Sequence, residues 1–368
     1  MLRASGYLVA FLLMLLTASP RAVLLAQEQA GSVATSDSAK LTFGGLLQVW
    51  YQENAPDVDR TFRIRRTELR LSGAFPRRVR WTVMIDPSRA LRLSRDSTIV
   101  NDSIVVPTAD VNQLSRIFQD AYISIDFGPS FQVDVGQRKV PLTLEGLQSA
   151  AELRTVERAL MFSDGGRGGD LGDVRDIGVM AYGRITPQVD YQVGVFNGLG
   201  ESQNNLAAKD ALAVAARVVV RPGVPGLQFG ASGGVNGRLD ADERRNRPFA
   251  PRDRLGVDAY FQRGRWTAQS ELMVGRDDEQ TRLGTYALAA YRITSIVEGV
   301  ARVDFFDPVS SGDDDPSTTY EQLDFLLGAN VYVLENWLKF QANAVASTFG
   351  DEGPDSRLTL LLNFQVSW

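Results

Sequence analysis

The stretch "FRIRRTELRLSG" (Phe62–Gly73) gathers Arg63, Arg65, Arg66 and Arg70 within a few residues. Clustered guanidiniums in a channel act through a local field and weak, multisite binding of anions. As a strand, the stretch has Phe62 and Ile64 on one face and Arg63 and Arg65 on the other. Leu69 and Leu71 then put Arg66, Glu68 and Arg70 on that polar face. The parity switches, so a bulge is expected near Arg65–Arg66. Arg80, Arg138, Arg217 and Arg302 share the polar parity of their own strands. So do acids, among them Asp86, Asp134, Asp258 and Asp304. The expected field is therefore transverse and mildly selective, although the same charges could simply pair and solvate a wall.

Composition removes most other chemistry. The chain has no histidine and no cysteine. Ser-His-Asp and Cys-His catalysis lack their base, and the usual zinc sites lack their ligands. No enzyme, metal or cofactor is expected. The acidic loop Ser310–Glu321 lacks the spacing of a calcium loop and reads as solvated. The formal net charge is −5, which offers no basic excess for nucleic acid.

What must position the arginines is a long series of strands. The ending "RLTLLLNFQVSW" has Leu358, Leu360, Leu362, Phe364, Val366 and Trp368 on one parity, and Leu361 alone interrupts the polar parity. Similar alternation runs from Leu41 onward and yields about sixteen strands, long enough to cross a bilayer when tilted. Short connections such as "GPS", "ITPQ", "PGVP", "RG", "ITS" and "LEN" alternate with longer polar loops. The longer loops include Glu53–Arg60, Pro87–Ile117, Lys139–Asp173, Leu239–Arg252 and Arg276–Thr281. This is the pattern of an up-and-down antiparallel transmembrane β-barrel over residues 41–368, with its apolar parity facing lipid. A large soluble β-protein would also alternate, but no fixed-period repeat is present and the polar parity is rich in Gly, Ser, Asn and Gln. Residues 1–26 read as a signal peptide, cleaved after Ala26, and 27–40 as a disordered segment. The protein is therefore exported.

In the loop Lys139–Asp173, Ser149 to Glu152 reads as a capping box, and Leu153, Val156 and Leu160 follow at helical spacing. A short helix to about Met161 is expected, folded into the lumen and holding Arg154 and Arg158 on the solute's path. Trp368 suits an interfacial aromatic girdle, as do Trp81, Phe127 and Tyr291. A terminal aromatic also resembles the signal read by the barrel-insertion machinery.

Three blocks together resemble the phosphate-selective porin O and P family. They are "FRIRRTELRLSG"; "QDAYISIDF" with "VDVGQRKVPLTLEGL" (Gln119–Leu147); and "ERALMF" with "RDIGVMAYG" (Glu157–Gly183), followed by "YQVGVFNG" (Tyr191–Gly198). The resemblance implies a sixteen-stranded outer-membrane barrel, a homotrimer, and a third loop constricting the lumen. The chain departs from the family at Arg138, where an aromatic is usual, at Thr143, where glycine is usual, and in having no long lysine-rich loop. The expected function is passive passage of small hydrophilic solutes, including anions such as phosphate, past Arg63, Arg65, Arg66, Arg80, Arg138, Lys139, Arg154, Arg158 and Arg217. The expected surroundings are outer-membrane lipid and lipopolysaccharide. A structural or adhesive barrel with a plugged lumen is the alternative.

Overall fold

The computed structural model describes residues 34–36, 39–55, 58–75, 78–89, 91–92, 99–100, 103–104, 110–111, 117–163, 171–172, 174–198, 212–238, 251–277, 280–311, 320–350 and 353–368. The expected signal peptide lies outside the described residues. Among the described residues, no helix is long and apolar enough to cross a membrane.

Alternation resolves into one antiparallel ring. Its strands are β1 (Ala39–Ala55), β2 (Val58–Phe75), β3 (Val79–Ile85), β4 (Phe118–Asp126), β5 (Gln132–Lys139), β6 (Arg175–Thr186), β7 (Val189–Phe196), β8 (Ala213–Val220), β9 (Leu227–Arg238), β10 (Pro251–Arg263), β11 (Trp266–Asp277), β12 (Gln280–Arg292), β13 (Val297–Ser311), β14 (Gln322–Leu334), β15 (Leu338–Phe349) and β16 (Arg357–Ser367). Each pairs with its neighbours in sequence, and β16 pairs back onto β1 from Leu46↔Ser367 to Glu53↔Leu360. The ring is closed, so no barrel edge is left unpaired, as a lipid environment requires.

Side-chain burial follows the pleat. Along β11, Trp266, Ala268, Leu272 and Val274 are exposed, whereas Thr267, Gln269, Glu271 and Asp277 are buried. Leu327 is 69 % exposed and Leu358 62 %, while Asn330, Lys339, Asn343 and Gln365 are fully covered. A soluble fold would invert this arrangement. Here hydrocarbon takes the outer apolar face, and the polar parity turns inward.

Trp368 completes the closure. Its N–H donates to the Gly45 carbonyl at 3.1 Å, and its carbonyl accepts from the Gly45 N–H at 3.0 Å. The indole lies across Gly45, where a Cβ would sit only 2.2 Å from Cζ2. It also stands beside Phe43 (centroids 6.4 Å apart). At the same short-turn rim, Trp266 packs on Tyr291 and Phe127 on Phe131. Tyr and Trp rings at this height match the interfacial belt of a membrane barrel.

The bulge forms where expected: Gln48 pairs with Arg66 and Val49 with Ile64, leaving Arg65 as the extra residue. Two loop expectations need correction. Glu53–Arg60 and Arg276–Thr281 are not long loops, because their ladders run on to Ala55↔Val58 and Asp277↔Gln280. Ion pairs extend them, Arg60 with Glu53 at 2.9 Å, and Arg254 and Arg282 with Asp277 at 2.7 and 3.0 Å. Of the expected segment 27–40, residues 27–33 and 37–38 lie outside the described residues, and Ala34–Ser36 pairs with the start of β1.

Candidate functional site

The expected helix over residues 149–161 does not form. Ser149 caps a 3-10 turn at Ala150–Glu152, its hydroxyl accepting from Ala151 N. The chain then runs irregularly to a single helical turn, α1 (Leu160–Ser163). The reason is competition for carbonyls. Lys339 Nζ donates to Ala151 O (2.8 Å) and Leu153 O (2.9 Å), and Gln365 donates to Ala151 O at 3.0 Å. Asn330 takes Arg154 O at 2.8 Å, and Arg302 takes Glu157 O (3.0 Å) and Arg158 O (3.2 Å). Side chains of β13 to β16 thus satisfy carbonyls that a helix would otherwise satisfy with its own i→i−4 bonds, and they hold the backbone in the irregular path.

Apolar packing joins in. Val156, Ala159, Met161, Phe162 and Leu171 cluster with Met273, Leu288, Val300, Phe306, Leu326, Val345 and Leu361, which interrupt the polar parity of β11 to β16. Gly284 lets the backbone approach, since a Cβ there would meet that of Met161 at 2.4 Å. At the other end, Glu271 on β11 accepts from two consecutive amides, Leu144 N and Glu145 N, both at 2.6 Å, and from the Tyr286 hydroxyl at 2.7 Å. Thr143 turns those amides with a φ of 64°. That conformation favours glycine, and Thr143 Oγ1 helps hold it by accepting from Gly146 N at 3.1 Å.

Five of the nine expected residues meet around one cavity of about 290 Å3: Arg65, Arg66, Arg138, Lys139 and Arg158. Arg65 pairs with Glu157 at 2.6 Å, and Arg66 bonds Gln48 at 2.7 Å. Arg138 pairs with Asp134 and lies between the Tyr122 and Tyr182 rings. Lys139 donates to Gly146 O and Gln148 O, and Arg158 to Glu145 O and Gln148 O. Those two cations clamp the segment as well as facing the cavity.

The other four are elsewhere. Arg63 leans on Trp50 and bonds Gln52, and Arg80 bonds Gln132 near the short-turn rim. Arg154 reaches Thr267 and, at 3.7 Å, Glu298. Arg217 makes a two-pronged pair with Asp258 at 2.5 and 2.9 Å. Its charge is matched within the wall.

Three further cations border the cavity: Arg70, Arg89 and Arg175. Arg70 had the right parity in the sequence but was not among the nine. Arg175 has the parity of the outward Val179 and was hidden, because Asp120 draws it inward at 2.8 Å where β6 begins. Among the described residues, the lining thus holds eight cationic side chains against four carboxylates: Glu68, Asp86, Asp120 and Glu157. Burial alone would raise the Glu157 carboxyl, but Arg65 and Arg66 outweigh it and hold the pKa at about 2. Burial does raise the Glu145 carboxyl, with Arg302 and Arg158 opposing.

The family model for phosphate-selective porin O and P matches residues 47–367. The chain belongs to that family. This porin is a passive channel of the outer membrane. No curated protein matches the sequence. Among solved structures, the anion-selective porin from Comamonas acidovorans is similar at 12 % identity with a TM-score of 0.61, over 90 % of this chain and 100 % of that one. The outer-membrane channel DcaP of Acinetobacter baumannii is similar at 10 % identity and a TM-score of 0.61, covering 91 % and 99 %. The trimer form of Vibrio cholerae OmpT gives 10 % identity and 0.58, covering 90 % and 100 %. At these identities the porin and its neighbours share a fold.

Proposed function

We propose that the porin prefers anions, with phosphate and related polyanions as the favoured solutes, and that residues 140–163, with Leu171 and Gly172, lie in its lumen as the constriction. The observation that carries this reading is the surplus of cations around the 290 Å3 cavity. Support for the lumen position comes from the segment's partners, Glu271, Arg302, Asn330, Lys339 and Gln365, which all belong to the polar parity. Most of the apolar docking lies along β11 to β16, with a smaller contact of Leu142 on Met180, Phe196, Ala213 and Ala215 of β6 to β8, so the open path runs beside the cavity-lining strands β2 to β7. Arg65, Arg66, Arg70, Arg138 and Arg175 would meet the solute, while Lys139 and Arg158 fix the segment. A positive local field attracts anions and holds them weakly enough to leave.

Several accompanying roles are part of the same proposal. Residues 1–26 direct export, and Trp368 is read by the insertion machinery. Three copies assemble as in the trimer form of OmpT, with lipid and lipopolysaccharide around them. The channel performs no catalysis. Phosphate added during chloride conduction in planar bilayers tests the solute claim: the chloride current should fall with saturation, and an unaffected current would reject it.

A further inference from the structure

We infer that Leu147 and Gln192 form the narrowest passage of the channel, a filter of size and hydration separate from the cations that choose the sign of the ion. The inference rests on the lumen segment proposed above.

A second cavity, of about 490 Å3, lies beyond the cationic one, bordered by Gln132, Tyr182, Arg184 and Asp190. It shares Arg221 and Gln228 with a third, of about 440 Å3, at the short turn 221–226. The three spaces form a series from the cationic cavity to the short-turn rim. The first and second have two residues in common, Leu147 from the segment and Gln192 from β7. A solute moving between them passes these two side chains.

Leu147 is held in place. The carbonyls on either side of it, Gly146 O and Gln148 O, both accept from Lys139 Nζ, at 2.5 and 2.9 Å. Arg158 Nη2 adds a bond to Gln148 O at 2.8 Å. Across from it, Gln192 Oε1 is buried and makes no hydrogen bond. One apolar side chain and one amide cannot replace an anion's hydration shell. Unlike the arginines upstream, they act on the width and wetting of the path.

The chain has no cysteine, so L147C carries its single thiol. In planar bilayers, a bulky neutral thiol reagent should reduce the unitary conductance of L147C to roughly half or less, and leave the wild type unchanged. L147A should conduct more and admit larger neutral sugars. Both variants should keep the wild-type reversal potential in a salt gradient. An L147C thiol that a soluble reagent cannot reach overturns the inference. So does complete modification, confirmed by mass, with unchanged conductance, or an L147A variant with altered ion preference. Deleting Leu142–Gly169 separates the two levels. Unchanged conductance there refutes the lumen segment itself. Raised conductance there, with an L147A variant like wild type, refutes only the filter.

Discussion

Arg65 Nη2 stands 2.6 Å from Glu157 Oε2, tying the bulged residue of β2 to the segment that follows β5. The bulge turns Arg65 and Arg66 inward together, and Glu157 takes both, with Arg66 at 3.6 Å. One carboxylate therefore moderates two of the guanidiniums that line the cationic cavity.

Replacing that carboxylate should strengthen anion preference. In E157Q the cavity loses one of the four carboxylates that line it among the described residues. The gain should be about 1 kcal/mol after screening, roughly fivefold in the anion-to-cation ratio at low salt. Measured reversal potentials check this; a shift toward cations would contradict it.

The same group sets a pH expectation. Its folded pKa of about 2 lies below the ordinary 4.5. The stabilisation is thus complete above the ordinary value and is lost only as pH falls toward 2. Between pH 7 and 5, the Arg65–Glu157 tie should not loosen. Current noise in wild type and E157Q across that range should show no change attributable to titration of Glu157.

Arg217 is expected to be a structural residue. Removing one member of a buried ion pair costs about 3–5 kcal/mol, so R217A should lower the denaturation midpoint in detergent. R217M combined with D258L should recover most of it. Arg217 borders the second cavity, but Asp258 balances its charge there, so the R217A channels that do fold should keep wild-type ion selectivity; loss of selectivity would show that Arg217 acts on the passing solute.

Closure at Trp368 can be tested by a suppressor. G45V places side-chain atoms where the indole lies, and should reduce the folded fraction seen by heat-modifiable gel migration. W368A should restore folding in that background. If G45V folds like wild type, the indole is not packed as described.

Removing Lys339 should loosen the segment. Its ammonium satisfies Ala151 O and Leu153 O, and a buried group left unpaired costs about 1–3 kcal/mol. K339M should show added flicker in single-channel records; steady openings like wild type would contradict the clamp.

Most of the barrel was legible because a pleated strand in lipid must alternate, and Leu358 to Trp368 do so almost without fault. The bulge was legible for the same reason, since two arginines could not both face hydrocarbon. Leu361 looked like a flaw, but it belongs to the inward apolar patch beneath Val156 and Phe162. The failed helix was illegible because its competitors, Lys339, Asn330 and Gln365, lie far away in sequence. Arg217 and Asp258 are likewise 41 residues apart, and spacing alone could not reveal their pairing. Glu53–Arg60 and Arg276–Thr281 read as loops because their residues are charged, yet Arg60 pairs with Glu53, and Arg254 and Arg282 with Asp277, across the ladders.

The most direct test is the zero-current potential of the purified porin in a planar bilayer separating two potassium chloride concentrations. A cationic constriction predicts stepwise openings and a potential with the sign of chloride preference, diminished when Arg65, Arg66 and Arg70 are replaced by glutamine. Openings with a potassium-selective potential, or no openings at all, would contradict it.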